Sequence, residues 1–447
     1  LHRAKTRLPK PVPGNESASM DYIASYYTNT LIKDAGPYPP LAQTIDCDCC
    51  IIGGGIAGLS VARELLQLGR SVVVLESNRV AWGASGRNGG FVGPGFALSY
   101  SKLCRSVGEA QARELYRLSI DGVQIIKNTI ASLDMQETDP VSGQLEVIRH
   151  QKFSQLRNKI KTSALDFGLQ LAYLDKQHLR EHLQTEKYQA AIFNPLAFQI
   201  HPLNYCVQLA RSIVNNSGRL YEQSPVLSVN RHDGGFRITT GKGRVSCKQL
   251  VYCTSAYTGD LQTQLARSIL PISTHVVLSK PLGPQLHETI RSHSGVLDDR
   301  RASDYYRIVG RDRLLWGGAI SSFEPDPRKL AARMRKRILQ VYPQLQGLEI
   351  ELSWTGNMGY ARHLMPLVGR LKSGAWACTA FGGHGLNTSS ICGQLIARAI
   401  VSDDSRYKLF EPFGFKYNYG GIGRIATQLT YWAYQLGDWL DESFGEK

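Results

Sequence analysis

The stretch IDCDCCIIGGGIAGLSVARELLQLGRSVVVLES (45–77) decides the fold. IDCDCCII (45–52) is a short apolar run of the kind that makes a buried strand. AGLSVARELLQLG (57–69) places Leu59, Ala62 and Leu66 on one helical face. Gly69 tolerates the left-handed conformation that ends a helix. SVVVLES (71–77) is β-branched and predicts a second buried strand. Strand, helix and strand within about thirty residues predict a parallel βαβ unit.

Between the first strand and the helix stand Gly53, Gly55 and Gly58, spaced G-x-G-x-x-G. The first glycine permits a tight turn, the second a close approach of a pyrophosphate, and the third close packing of helix on strand. The helix start, with Ile56 and Ala57, then offers unpaired N–H groups and a positive dipole end to phosphate. Glu76 closes the second strand, followed by Ser77. A carboxylate there accepts hydrogen bonds from ribose hydroxyls and repels a 2′-phosphate. A lone glycine motif is weak, but here the whole strand–helix–strand–Glu context surrounds it, so a dinucleotide site is expected.

A similar strand–glycine loop–helix pattern recurs in GAWACTAFGGHGLNTSSICGQLIARAIV (374–401), over 300 residues away, so the nucleotide domain is expected to be discontinuous. With 447 residues the chain is too long for one simple core. The expected division is an arm (1–44), a nucleotide-binding domain (45–100, 191–262 and 354–404), a second domain (101–190 and 263–353) and a helical tail (405–447). In fold-class terms this is α/β: a Rossmann-like nucleotide-binding domain with an inserted α+β domain built on a mixed sheet.

The net charge of +15 would suit nucleic acid or anionic surfaces. However, the densest basic run (Arg328, Lys329, Arg333, Arg335, Lys336, Arg337) alternates with Leu330, Met334, Ile338 and Leu339, as on the solvated face of a helix. No nucleic-acid motif accompanies it, and no apolar run is long enough for a transmembrane helix. Nine cysteines, several in apolar strands, suggest free thiols in a reducing compartment. Cys47 and Cys50 form C-x-x-C, but in an extended strand they should face opposite sides, so no metal or redox role is expected. LHRAKTRLPK (1–10) is basic and lacks the apolar stretch of a secretory signal. A cytoplasmic location is expected, with organelle import left open.

Beyond Glu76, GASGRNGGF (83–91) resembles the glycine-rich segment of the D-amino-acid-oxidase-like flavoenzymes, closest to their γ-glutamylputrescine oxidoreductase branch. PVLSV (225–229), LVYCTSAYTG (250–259), DYYR with RLLWGG (304–318), WTGNMGYARHLMPLVG (354–369) and AFGGHGLN (380–387) match in family order, and together the likeness spans roughly 20–404. It implies FAD, a glutathione-reductase-type FAD-binding domain and a substrate domain as the inserted one. The residues it assigns to the cofactor, besides the first βα unit, are Gly83, Ser85, Arg87, Asn88, Gly89, Gly90, Val226, Thr254, Gly356, Gly382, Gly383, His384, Gly385 and Leu386. Cysteine is missing where covalently linked relatives carry it, so dissociable FAD is expected. A helix starting near Leu386 would aim its positive end at the flavin and favour the reduced anion.

The resemblance also implies oxidation of the C–N bond of an amine or N-substituted amino acid. The imine then hydrolyses, and O₂ or another acceptor reoxidises the flavin. Arg362, four residues before Pro366, matches the arginine that clamps a substrate carboxylate in amino-acid oxidases of this fold. Tyr305 and Tyr306 are candidate aromatic walls, Arg307 a second anion site, and His384 a residue near the ring edge. The chain departs from its branch beside Arg362, where Ala361 and His363 replace Thr and Asp. It also departs near Leu315, where oxygen-activating relatives carry a lysine; Lys280 is the substitute candidate. A 2-hydroxy-acid dehydrogenase and a non-catalytic flavin scaffold stay open. IATQLTYWAYQLGDWLDESF (425–444) forms an apolar helical stripe expected to dock on the protein's own body.

Overall fold

The computed structural model describes residues 21–33, 36–149, 153–322 and 327–444; the basic start at 1–10 lies outside them. Two sheets organise the chain. In the first, the strands Trp376–Thr379, Arg244–Tyr252, Thr44–Ile52, Val72–Leu75 and Arg219–Tyr221 run parallel in that order. Leu367–Arg370 adds antiparallel at one edge, and Val226–His232 and Gly235–Thr240 form an antiparallel extension on Arg244–Tyr252. Val72–Leu75 and the last four residues of Thr44–Ile52 are buried, as expected of parallel strands covered on both faces.

The second sheet is mixed. Its order is Ile350–Tyr360, Leu270–Ser279, Arg313–Ser321, Tyr305–Val309, Gly295–Asp298, Val141–Ile148, Ala190–Gln199 and Phe91–Val92. Among the described residues of this sheet, only Gly295–Asp298 and Val141–Ile148 pair in parallel. The expected fold class is therefore the observed one. The strands Phe91–Val92, Ala190–Gln199 and Ile350–Tyr360, which the sequence grouped wholly or largely with the FAD-binding segments, pair in this second sheet. Apolarity tells that a strand is buried, not which sheet it joins.

Helix Ile56–Gln67 packs against helix Gly385–Ser402. A Cβ on Gly393 would lie 2.7 Å from Ser60 Cβ, and further along Arg398 Nε donates to Glu64 at 2.9 Å. Ser60 thus faces Gly393 while Glu64 faces Arg398, so the helices run in the same direction and their N-termini lie at the same edge of the first sheet. That edge is formed by the C-terminal ends of its parallel strands, where open α/β sheets bind ligands.

Three expectations change. Cys47 and Cys50, expected on opposite faces, both contact Cys247 and pack in the same cluster. The contact with Cys247, then burial, pushes the Cys47 thiol above the ordinary range, and burial does the same for Cys50. Next, the basic helix Pro327–Val341 is only partly a solvated face. Arg337 pairs with buried Asp304 at 2.9 Å, and Arg335 Nε donates to Leu348 O at 2.7 Å; the side chain of Arg328 is outside the described residues.

Finally, the C-terminal helix Gly420–Phe444 does dock on the body, but through its polar side. Tyr431 Oη accepts from Ile320 N at 3.1 Å, Gln428 Oε1 from Ser322 N at 3.0 Å, and Asp438 from Ala302 N at 3.0 Å. Much of the predicted apolar stripe faces solvent. Hydrophobic periodicity identifies a stripe, but not the side from which the helix is held. No helix among the described residues is long and apolar enough to cross a membrane.

Candidate active site

The first glycine turn fits a diphosphate because nothing larger than glycine can occupy it. Gly53 has φ +112°, and a Cβ there would stand 2.6 Å from Cys253 O. A Cβ on Gly58 would stand 1.9 Å from Gly53 O, so the helix is packed against the turn itself. Gly55 caps the helix with no side-chain bond of its own, and Ser85 Oγ accepts from Ile56 N at 3.0 Å. The 83–90 segment therefore folds over the helix start.

Glu76 Oε2 accepts from Gly54 N at 2.7 Å, and its Oε1 accepts from Asn78 N at 2.9 Å and Ser77 Oγ at 3.2 Å. Burial pushes its pKa up, against the backbone N–H groups that favour the charged form. Ser224 N donates to Glu76 O at 2.8 Å, bringing Val226 within two residues of this corner. Thr254 lies beside Gly53 and bonds Thr258 through its hydroxyl at 2.6 Å.

Along 83–90 the glycines receive side chains from elsewhere. Gly83 lies against Tyr257; Gly89 meets the Tyr305 ring, where a Cβ would stand 2.4 Å from Cε2; a Cβ on Gly90 would stand 2.8 Å from Arg307 Nη2 and 2.1 Å from Ile200 O. Asn88 donates to Ala84 O and Ser85 O and accepts from Gly90 N, holding the segment's turn.

Arg87 is buried over the Trp82 ring, 4.3 Å from its centre, and donates to Trp82 O at 2.7 Å and Thr355 O at 3.4 Å. Its Nη2 has no partner, and no carboxylate among the described residues pairs with it. A buried cation with an orphaned donor is what an anionic cofactor would satisfy. Gly356 contributes space beside that side chain.

The second glycine turn stands against the second sheet. A Cβ on Gly382 would meet the Tyr360 ring at 2.7 Å, and one on Gly383 the Tyr360 hydroxyl at 3.0 Å. Gly385 and Leu386 open the following helix, with His384 at its N-cap. The His384 ring reaches solvent, yet the protein packed around it lowers its pKa to about 4, and it is neutral at pH 7.

Of the substrate candidates, the structure gathers some and disperses others. In Tyr305–Val309 successive side chains point to opposite faces. Tyr305 and Arg307 face the glycine segment. Tyr306 faces away, stacked on Trp316 at 4.2 Å and bonded to Tyr342 Oη at 2.7 Å and Tyr188 Oη at 3.2 Å. The expectation of Tyr306 as a substrate wall is thus corrected: it is a core residue.

Arg307 is also buried, donating to Ile200 O at 2.8 Å and Tyr27 Oη at 3.3 Å, and ties the arm to the cleft floor. Arg362 is exposed, 5.2 Å over the Tyr419 ring, at a hollow of about 290 Å³ shared with Lys102, His363 and Lys416. Lys280 sits at the surface, paired with Glu349 at 2.5 Å. Sequence reasoning missed three rings in this region. Trp354 donates to Arg87 O at 2.9 Å; Tyr27 packs on Trp354 at 6.0 Å between ring centres; Tyr360 underlies the second turn. The alternation of Trp354, Gly356, Met358 and Tyr360 along one strand was the available signal.

Comparison with known proteins agrees with this geometry. Residues 48–399 match the family model for the FAD dependent oxidoreductases, DAO. The chain is 32% identical to a probable oxidoreductase, OrdL, of Haemophilus influenzae (94% of this chain, 98% of that one). It is equally 32% identical to the γ-glutamylputrescine oxidoreductase of Escherichia coli (87% and 92%). Among solved structures, glycine oxidase from Bacillus cereus superposes with a TM-score of 0.67 at 21% identity (81% and 97%), and L-proline dehydrogenase from P. horikoshii with 0.68 at 18% (84% and 98%). Glycine turns at one sheet edge facing an inserted mixed sheet define a two-domain flavoenzyme. The chain belongs to the DAO family of FAD-dependent oxidoreductases, and FAD is its cofactor.

Proposed function

We propose that the protein oxidises the C–N bond of an amine or N-substituted amino acid, with O₂ or another carrier as the final acceptor. The observation that carries this reading is the wall facing the two glycine turns. Tyr305, Trp354 and Tyr360 supply aromatic surface from the second sheet, and among the described residues no carboxylate bonds to any of them. A low-polarity wall lowers an ammonium's pKa and favours the neutral amine, the form that can lose a hydride. The E. coli relative, by its name, acts on an N-substituted putrescine, a substrate of this class.

The roles follow from position. The Gly53–Gly58 turn and its helix start hold the diphosphate, Glu76 the ribose, and Arg87 an anionic part of the cofactor. The 83–90 segment and the Gly382–Gly385 turn bring backbone close to a flat ring, and the ring is held without a covalent bond. His363, the histidine nearest the late proline, is engaged with backbone, its Nε2 at 3.1 Å from Gly414 O and its Nδ1 accepting from Met365 N at 3.2 Å. The flavin held there would supply the hydride acceptor for the α-carbon. Tyr305 and Tyr360 orient the substrate and exclude water, and Arg362 at the mouth meets a carboxylate remote from the reacting nitrogen. The imine then takes up water and yields a carbonyl compound and a smaller amine. The nine free cysteines suit a reducing, cytoplasmic setting.

An anaerobic screen of the FAD-loaded protein tests this. Bleaching by amines or N-alkyl amino acids is expected, and admission of air then separates an oxidase from a dehydrogenase. Bleaching by 2-hydroxy acids alone would replace the reading with a hydroxy-acid dehydrogenase, and no bleaching by any substrate would leave a flavin scaffold.

A further inference from the structure

We infer that the C-terminal helix Gly420–Phe444 is a membrane-surface anchor that lies in the plane of an anionic lipid leaflet. Its inward residues are polar and fully engaged: Gln428 and Tyr431 on the Ile320–Ser322 backbone, Asp438 and Asp441 on Arg301, and Glu442 on Arg149 at 3.2 Å. Its outward residues are apolar. Ile422 is 75% exposed, Ile425 54%, Leu429 55%, Trp432 57% and Leu436 57%. A docked helix ordinarily buries its apolar stripe and exposes its polar one; this helix does the reverse. No charged residue occurs from Ile425 to Gly437, a length of roughly 20 Å at 1.5 Å per residue. An exposed stripe of this size marks an interaction surface.

Charge selects the occupant. The helix's three acidic residues are each ion-paired with an arginine of the body. At the other end stand Arg267, Arg362, Lys416 and Arg424, none within ion-pair distance of a carboxylate among the described residues. The chain as a whole carries +15. A second copy would bring the same cations and no unpaired carboxylate on the stripe to meet them. Anionic headgroups meet them directly, while Trp432 and the exposed Tyr417, Tyr419 and Tyr434 supply the amphipathic rings that settle at a lipid–water boundary. The docked orientation also has a consequence for the site. Arg362 bonds Tyr419 Oη, one residue before the helix, and stands two residues beyond Tyr360 at the second glycine turn. The mouth of the cleft would therefore lie beside the leaflet.

Sedimentation of the FAD-loaded full chain with vesicles tests the inference. Binding is expected to vesicles of phosphatidylcholine containing one-third phosphatidylglycerol, weaker binding to pure phosphatidylcholine, and loss on raising salt. Leu429→Gln with Trp432→Gln, both on the outward face, should lower the partition coefficient by about tenfold or more while flavin absorbance and turnover stay unchanged. Arg424→Gln should lower it a few-fold on anionic vesicles only. The inference is overturned if the wild-type chain remains in the supernatant with both vesicles, or if the double variant binds as well as wild type. It is equally overturned if the wild-type chain is a dimer in ultracentrifugation that the double variant converts to monomer without vesicle binding by either.

Discussion

Gly58→Ala is the most direct perturbation of the cofactor site. The added methyl would stand 1.9 Å from Gly53 O and 3.2 Å from Gly53 C, where ordinary contact begins at about 3.4 Å. The obstruction is backbone, so no rotamer change relieves it, and the turn must move from the helix by about 1.5 Å. Such a shift breaks the turn's hydrogen bonding to a diphosphate; one hydrogen bond to a charged group is worth about 1.5–3 kcal/mol, and about 2.7 kcal/mol corresponds to 100-fold. We therefore expect the FAD dissociation constant, measured by flavin fluorescence on apoprotein, to rise by about 100-fold. Gly69→Ala is the control. Its φ is +73°, so it is strained, but nothing lies within 4 Å of the new methyl. It should lower stability by about 1 kcal/mol and leave FAD affinity unchanged. If Gly58→Ala binds FAD within threefold of wild type and remains folded by near-ultraviolet circular dichroism, the argument that this turn cradles the diphosphate fails.

Four further outcomes follow from the same geometry. Tyr306→Phe removes bonds to Tyr342 and Tyr188 and should cost about 1–3 kcal/mol in urea unfolding, with kcat/KM of the folded enzyme unchanged; Tyr305→Phe, on the cleft face, should reverse that pattern. Arg87→Met leaves Trp82 its packing but removes the buried cation, and should weaken FAD binding by tenfold or more, seen as flavin loss on gel filtration. Arg362→Gln should raise KM for carboxylate-bearing amines several-fold at constant kcat, and steady-state kinetics on substrates with and without the carboxylate would expose a purely structural role. His275 is buried with neither ring nitrogen bonded; burial first, then Arg333, lowers its pKa to about 4. Because the folded value lies below the unfolded 6.5, its contribution to stability is present above pH 6.5 and lost as pH falls towards 4, by about 3 kcal/mol. His275→Leu should remove that part of the acid sensitivity in urea titrations at pH 6.5 and pH 4.5, and an unchanged pH slope would refute the assignment.

The division between what was legible in the sequence and what was not has a physical origin. The first βα unit is local: the G-x-G-x-x-G spacing, the apolar helix face and Glu76 are all set within about thirty residues. Local sterics therefore suffice to identify it, and the structure places the turn, helix and carboxylate together. The cleft's far wall is non-local. Whether Tyr305 or Tyr306 faces the flavin side depends on register against Arg313–Ser321 and on which face of the second sheet helix Pro327–Val341 covers. Two adjacent tyrosines carry no such information. A one-residue slip would exchange their roles, so only the assembled sheet separates wall from core. The C-terminal helix shows the same limit more sharply. Its period announced an apolar stripe, and burial was the natural inference. The attachment, however, is decided by partners scattered over more than 170 residues of sequence, all distant from the helix: Arg149, Arg301 and the Ile320–Ser322 backbone. Each of these engages the polar side, so the body's own hydrogen bonds orient the helix with its apolar face outward, and the free energy of covering that face is left to a surface outside the chain.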